Sequence, residues 1–262
     1  MRFTKMQGLG NDFLLVYDRV PENTGPLCAA LCDRRLGVGA DGVIFLCVSS
    51  VADCEMRIFN ADGSEAKMCG NGIRCAGKFL YDNGIVRKEQ MTVETLSGVK
   101  KLALRIENGT VQSVTVDMGC AVMTQEDVSL PDGMGVGTAV SVGNPHLVLF
   151  IKDADATPVS VFGPRIERDE RFPGGVNAEF VQVLSPQKLR MRVWERGCGI
   201  TMACGTGACA SVFAAVKKGL CPVGEPVEVK LDGGSLCITV DETDGITMEG
   251  PAETVFSGEV TI

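Results

Sequence analysis

One long stretch of this chain occurs twice, and that repetition limits the fold more than any other feature. Met191–Gly219 reads MRVWERGCGITMACGTGACASVFAAVKKG, and Met56–Gly84 reads MRIFNADGSEAKMCGNGIRCAGKFLYDNG. Met56 meets Met191 and Cys69 meets Cys204 at one separation, 135 residues. In that register Arg57, Ile58, Phe59, Gly70, Gly72 and Gly84 meet Arg192, Val193, Trp194, Gly205, Gly207 and Gly219. Upstream, Gly37-Val38-Gly39-Ala40-Asp41 resembles Gly175-Val176-Asn177-Ala178-Glu179 at a separation of 138, and Gly10-Asn11 resembles Gly143-Asn144 at 133. Blocks that recur in the same order indicate two related halves, each with a strand, a polar loop, Cys-Gly-x-Gly and a helix. Repeats are often only architectural. The polar loops ahead of each thiol, Asn60 to Glu65 and Glu195 to Gly199, are not needed merely to support an apolar helix.

With 262 residues the chain has room for two domains of ordinary size, each with its own core. Short runs rich in Val, Ile, Leu and Phe predict strands over 13–17, 43–48, 54–59, 101–106, 111–116, 147–151, 180–183, 189–194, 227–231 and 236–240. Asn108-Gly109 between two such runs signals a hairpin. Strong helix signals are confined to 27–34, 72–82 and 207–218. The last is apolar on nearly every side and is closed by Lys217, Lys218 and Gly219, so it must be surrounded by protein. Sheets wrapped around a central buried helix satisfy these observations and predict an α+β fold. The halves are expected to divide near Asp117-Met118-Gly119, giving 1–117 plus 251–262 and 118–250. Gly250-Pro251 marks the return of a last strand, Val255–Ile262, to the first half.

A net charge of −8 with no basic run argues against nucleic acid and anionic membrane as main partners. The N-terminal MRFTKMQGLGND lacks an apolar signal core and no window approaches a membrane span, so the expected location is the cytoplasm. Twelve cysteines with no C-x-x-C spacing, in a chain with a single histidine, His146, do not read as a disulfide framework or a zinc site. Most are expected to pack as small hydrophobes.

The repeated cysteines carry the chemistry. A Gly-rich turn opening a helix presents backbone N–H groups and the positive end of the helix dipole, where an anion docks and a thiol ionises more easily. Two halves packed face to face would bring two such thiols to one cleft. Inverting a carbon stereocentre requires a base on one face and an acid on the other, and a thiolate–thiol pair supplies both without a cofactor. N–H groups of the two helix starts would hold the substrate carboxylate and the charge that develops as the α-proton leaves. Gly72 to Lys78 has P-loop spacing, but Phe79 replaces the magnesium-binding hydroxyl and the glycine falls inside the helix. A cysteine hydrolase would use His146 and leave the second cysteine without a task.

The segments GLGNDF (8–13), FNADGSEAKMCGNGIRC (59–75), GNPH (143–146), GGVNAEFVQV (174–183) and WERGCGITMACGTGACA (194–210) resemble the signatures of the diaminopimelate epimerase family over nearly the whole chain. The resemblance implies two pseudosymmetric domains, each a curved antiparallel β-sheet or barrel around a central helix, with the active site between them. It implies cofactor-free conversion of LL-2,6-diaminopimelate to the meso form, in lysine and peptidoglycan precursor synthesis, often by a homodimer. Carried over, Cys69 and Cys204 are the acid/base pair. Gly70-Asn71 and Gly205-Thr206 hold the carboxylate at the reacting carbon, and Glu195 and the Arg196 backbone take its ammonium group. Asn11, Asn60, Asn144, Asn177 and the Arg196 side chain read the distal end, while His146 and Glu195 help organise the site. The chain departs from the family pattern at Ile200, more often glutamate, and at Gly42, a glutamine in some members. A proline racemase-like enzyme, which also uses two cysteines, usually carries histidine where this chain has Asn71. A non-catalytic amino-acid-binding or redox-sensing protein is the remaining alternative.

Overall fold

The computed structural model describes residues 1–131, 133 and 135–261. Its first elements are β1 (Arg2–Gly8), β2 (Asn11–Tyr17), α1 (Thr24–Cys32), β3 (Gly42–Cys47), β4 (Cys54–Asn60) and β5 (Glu65–Ala66). There follow α2 (Gly70–Asp82), β6 (Gln90–Thr95), β7 (Gly98–Glu107), β8 (Thr110–Cys120), β9 (Val122–Ser129), β10 (Val136–Ser141) and β11 (Pro145–Phe150). The chain continues through α3 (Val159–Glu167), β12 (Asn177–Ser185), β13 (Lys188–Glu195), β14 (Gly199–Ile200) and α4 (Gly205–Lys217). It ends with β15 (Val227–Leu231), β16 (Gly234–Val240), β17 (Gly245–Gly250) and β18 (Glu253–Glu259). Two compact units result, Met1–Asp117 with Glu249–Ile262, and Met118–Met248.

In the first unit the strands pair in the order β18, β1, β2, β3, β4, β6, β7, β8, with β5 folded back on β4. The pairs β2–β3 and β4–β6 are parallel, because α1 and α2 carry the chain back across the sheet between them. The sheet is therefore mixed, which corrects the expectation of an antiparallel one. It is also not closed, since β18 and β8 do not pair with each other among the described residues. The strand expected over Val255–Ile262 begins two residues earlier, and Ile262 lies outside the described residues. Asn108 and Gly109 both take positive φ, 51° and 77°, the requirement of a tight hairpin between β7 and β8.

β3 has helices on both faces, and Val43, Ile44, Phe45 and Leu46 are all fully buried. Leu14, Val16, Val43, Phe45 and Phe59 form one core with Cys28 and Leu31 of α1. Ile44 points the other way, toward α2, whose residues from Gly70 to Leu80 are all buried. Two of those are cations with local partners: Lys78 donates to Val111 O at 2.6 Å and pairs with Asp82 at 2.8 Å, while Arg74 belongs to the site described below.

The second unit repeats this plan. β9, β10, β11, β12, β13, β15 and β16 pair in that order, β14 folds back on β13, and β11–β12 and β13–β15 are parallel. Both helix pairs obey the 135-residue register, α1 with α3 and α2 with α4, at each end. α3 escaped the sequence reading because Gly163 and Pro164 interrupt its pattern. The block matched at 138 is a misalignment. Phe13 pairs with Gly42 and His146 with Asn177, so Gly42 corresponds to Asn177, and Glu179 corresponds to Ile44 rather than Asp41. Among the described residues no helix is long and apolar enough to cross a membrane.

Candidate functional site

Each unit places one cysteine at the N-cap of its central helix. Cys69 caps α2 from extended backbone (φ −141°, ψ 122°), and its sulfur accepts from Gly72 N at 3.4 Å. Gly70 and Asn71 supply N–H groups of the first turn, which have no carbonyl of their own helix to bond. The Cys69 thiol faces Asn11 Oδ1 at 3.7 Å, and Asn71 Nδ2 donates to the same oxygen at 3.2 Å. Asn11 is oriented from behind, since its Nδ2 donates to Asp41 Oδ2 at 2.8 Å. Arg34 bridges Asp41 and Asp12 at 2.8 and 2.7 Å, and Lys5 reaches Asp12 at 2.9 Å. Burial would raise the Asp12 carboxyl, but hydrogen bonds from Arg34 and Lys5 outweigh it and hold the group at about 2. Asn60, at the end of β4, stands apart and donates to Ser64 Oγ at 3.0 Å.

Arg74, which the sequence reading passed over, braces this corner. Fully buried, it donates to Gly70 O, to Asn71 Oδ1 and to Pro251 O at 3.0, 3.0 and 3.2 Å. It thereby ties the start of α2 to the segment leading into β18.

Cys204 caps α4 from a similar backbone (φ −121°, ψ 107°) and is buried. Its sulfur lies 3.7 Å from Thr206 Oγ1, which accepts from Asn144 Nδ2 at 3.2 Å. Asn144 Oδ1 lies 2.9 Å from His146 Nε2, and His146 Nδ1 lies 2.7 Å from Glu179 Oε1. Glu179 is wholly buried, and burial pushes its carboxyl up against the opposing pull of His146. Sequence reasoning missed it; the signal was a carboxylate in a strand otherwise apolar over Ala178 to Val181.

Asn177 and Arg196 form a neighbouring group. Asn177 Nδ2 donates to Pro145 O and its Oδ1 accepts from Arg196 N, both at 2.9 Å. The Arg196 side chain donates to Gly174 O at 3.1 Å, and Glu195 accepts from Thr201 Oγ1. Glu167 pins the turn, accepting from Trp194 Nε1 at 2.6 Å and Gly197 N at 2.8 Å. Ile200, the first departure, is exposed at the end of the short β14.

Cys204 corrects one expectation. A helix start lowers a thiol pKa, yet here burial, followed by the charges of Glu195 and Glu179, raises it well above the ordinary value. Hydrogen bonds from Gly207 and Thr206 pull the other way without prevailing. Among the described residues no cluster of three or more His, Cys, Asp or Glu is arranged to hold a metal.

The sequence pattern of diaminopimelate epimerase matches residues 3–124 and 138–255. The chain belongs to the diaminopimelate epimerase family. It is 49% identical to a diaminopimelate epimerase of Pelotomaculum thermopropionicum, covering 99% of this chain and 98% of that protein. One from Methanococcus maripaludis is 46% identical, with 100% of each chain covered, and one from Bacillus subtilis 44%, with 98% and 97% covered. In fold it also resembles a Bacillus anthracis phenazine biosynthesis protein of the PhzF family, with a TM-score of 0.81 and 16% identity over 100% and 99% of the two chains. A probable proline racemase from Agrobacterium radiobacter K84 gives a TM-score of 0.74 and 18% identity over 100% and 93%.

Proposed function

We propose that this protein is an isomerase that converts LL-2,6-diaminopimelate to the meso form without a cofactor. The observation that carries this reading is the pair of N-capping cysteines at equivalent points of α2 and α4 in a member of this family. A thiolate on one face takes the α-proton, leaving the electron pair on the carbon and its carboxylate. The thiol on the other face then delivers its own proton, so the centre inverts and the two sulfurs exchange protonation states. The first-turn amides of Gly70, Asn71, Gly205 and Thr206 hold the carboxylate and stabilise the charge it acquires. Glu195 and the Arg196 backbone take the ammonium group, while Asn11, Asn60, Asn144, Asn177 and the Arg196 side chain read the distal amino acid. We read the protein as a cytoplasmic homodimer acting on a free amino acid, with no nucleic-acid or membrane partner.

Reduced protein incubated with LL-diaminopimelate in D2O, without pyridoxal phosphate, should place deuterium at one α-carbon and produce the meso form. Cys69→Ala and Cys204→Ala should each abolish turnover. Full turnover in either variant overturns the two-thiol mechanism, and inversion of proline with diaminopimelate unchanged transfers the assignment to the racemases.

A further inference from the structure

The duplication supplies an internal control for the second unit. In true register Ile44 and Glu179 fill the same place beneath the first turn of the central helix. A Cβ on Gly72 would lie 2.9 Å from Ile44 Cδ1, and one on Gly207 would lie 2.8 Å from Glu179 Oε1. Phe13 likewise holds the strand position that His146 holds in the second unit. The first unit shows that this fold is satisfied with an apolar pair there. The second has a histidine and a carboxylate instead, both side chains 0% exposed. Burying such groups is unfavourable unless they are paired, and the topology does not ask for them.

The hydrogen bonds leading out of this pair have a direction. Asn144 Nδ2 donates to Thr206 Oγ1, so Asn144 Oδ1 is the acceptor facing His146 Nε2, and that nitrogen carries a hydrogen. Thr206 accepts from Asn144 on one lone pair, which leaves its own hydroxyl proton available to Cys204 Sγ, 3.7 Å away, when that sulfur is a thiolate. At the buried end, 2.7 Å separates Nδ1 from Glu179 Oε1, and a proton lies between them as well. The pair is then imidazolium–carboxylate or imidazole–carboxylic acid, net neutral in either form. Glu179 Oε2 has no hydrogen-bond partner among the described residues, a poor setting for an uncompensated charge. The titratable groups acting on Glu179 are His146 on β11 and Glu195 on β13, and those acting on Cys204 are Glu195 and Glu179.

We propose that Glu179 is a positioning residue for Cys204: with His146 it forms a buried net-neutral pair that keeps Nε2 protonated and orients Asn144 and Thr206 so that the chain of donors ends on the Cys204 sulfur. The inference rests on reading Cys204 as an acid/base residue. Its consequence is that the thiolate left when Cys204 gives up its proton is met at once by the Thr206 hydroxyl.

His146 is the chain's one histidine, so 15N-histidine labelling of the wild-type protein reports on a single imidazole. Nε2 should resonate as a protonated nitrogen in the folded protein; an unprotonated Nε2 overturns the proposal. Glu179→Ile, and the double variant His146→Phe with Glu179→Ile that recreates the first unit's pair, should fold and lose about ten- to a hundredfold in kcat with KM within about twofold. Alkylation of Cys204 by iodoacetamide should change its pH profile in both while that of Cys69 does not. Glu179→Gln, whose amide donates to Nδ1, should restore most of kcat. Unchanged kcat in folded Glu179→Ile refutes the positioning role, and a loss confined to KM does the same. If the variants fail to fold, the wild-type resonance decides. Wild-type protein inactive on diaminopimelate with a protonated Nε2 defeats the proposed reaction and not the paired state.

Discussion

Gly163 is a helix-interior glycine whose replacement by alanine tests the packing under the candidate site. Taken alone, Gly→Ala in a helix is worth about 1 kcal/mol in favour of alanine. Here a Cβ would lie 2.4 Å from Trp194 Cγ and 2.5 Å from Trp194 Cβ. Those are stem atoms, fixed by the β13 backbone, and the ring beyond them is held by the bond from Nε1 to Glu167. The overlap cannot be relieved by a rotamer change, so the overpacking term belongs at the upper end of the usual range of about 1–3 kcal/mol. The net expectation for Gly163→Ala is a loss of about 2 kcal/mol. Trp194 is the chain's single tryptophan, so its fluorescence follows urea unfolding of the unit that contains both residues. With a slope of about 2 kcal/mol per molar, the midpoint should fall by about 1 M with the slope unchanged. Moving the Trp194 stem also displaces Glu195 and Arg196, so kcat/KM should drop in the folded variant. The first unit solves the same contact with Cys28 and Phe59, the equivalents of Gly163 and Trp194. Gly163→Cys with Trp194→Phe should therefore show a favourable coupling energy of about 1 kcal/mol or more in a double-mutant cycle, followed by far-UV circular dichroism. A midpoint for Gly163→Ala at or above the wild-type value would refute the reasoning.

Three further outcomes are expected. Gly42→Gln would place a Cβ 2.6 Å from the Phe59 carbonyl oxygen, a backbone atom in the paired strand, and should lower stability by about 1–3 kcal/mol in a thermal melt. Arg74→Met leaves the carbonyls of Gly70 and Pro251 and the Asn71 amide without this donor, so a loss of about 3 kcal/mol is expected, with faster amide exchange in β18 by mass spectrometry. Asp12, held at about 2, adds stability above the unfolded carboxylate pKa that disappears as the pH falls through the folded value. Wild type should exceed Asp12→Asn by on the order of 1–2 kcal/mol at neutral pH, discounted because Arg34 is 57% exposed, and the gap should close between about pH 4 and pH 2 in acid titrations.

The sequence made the halves legible because helix starts are written in few letters. Cys-Gly-x-Gly at one separation located both N-caps, and the apolar run after Gly207 announced a helix enclosed by protein. The parallel strand pairs were not legible: an apolar run such as Val43 to Leu46 reads alike in either direction, and only the helices before it decide. α3 was hidden by Gly163 and Pro164, whose poor propensity is overridden by packing against Trp194. Arg74 was not legible, since nothing local reveals that its partners include Pro251, far along the chain.

The misplaced register at 138 explains why Glu179 went unnoticed. Two Gly-Val-x-Ala-acid strings share that pattern, yet their glycines exist for different reasons. A Cβ on Gly37 would lie 2.2 Å from the Ala30 carbonyl oxygen, whereas Gly175 is required by its φ of +83°. The register set by the strands matches Gly39 instead with Gly174, and both have positive φ, 80° and 87°. Under the false match Glu179 had an acidic twin in Asp41, so nothing set it apart from the repeat. Under the true one its twin is Ile44. Where the halves agree, in N-capping cysteines, glycines and crossover helices, they report what the fold and the shared chemistry require. Where a buried polar group in one half faces an apolar twin, the fold has already shown that it does not need that group. Glu179 and His146 are such a case, and their donors lead to Cys204.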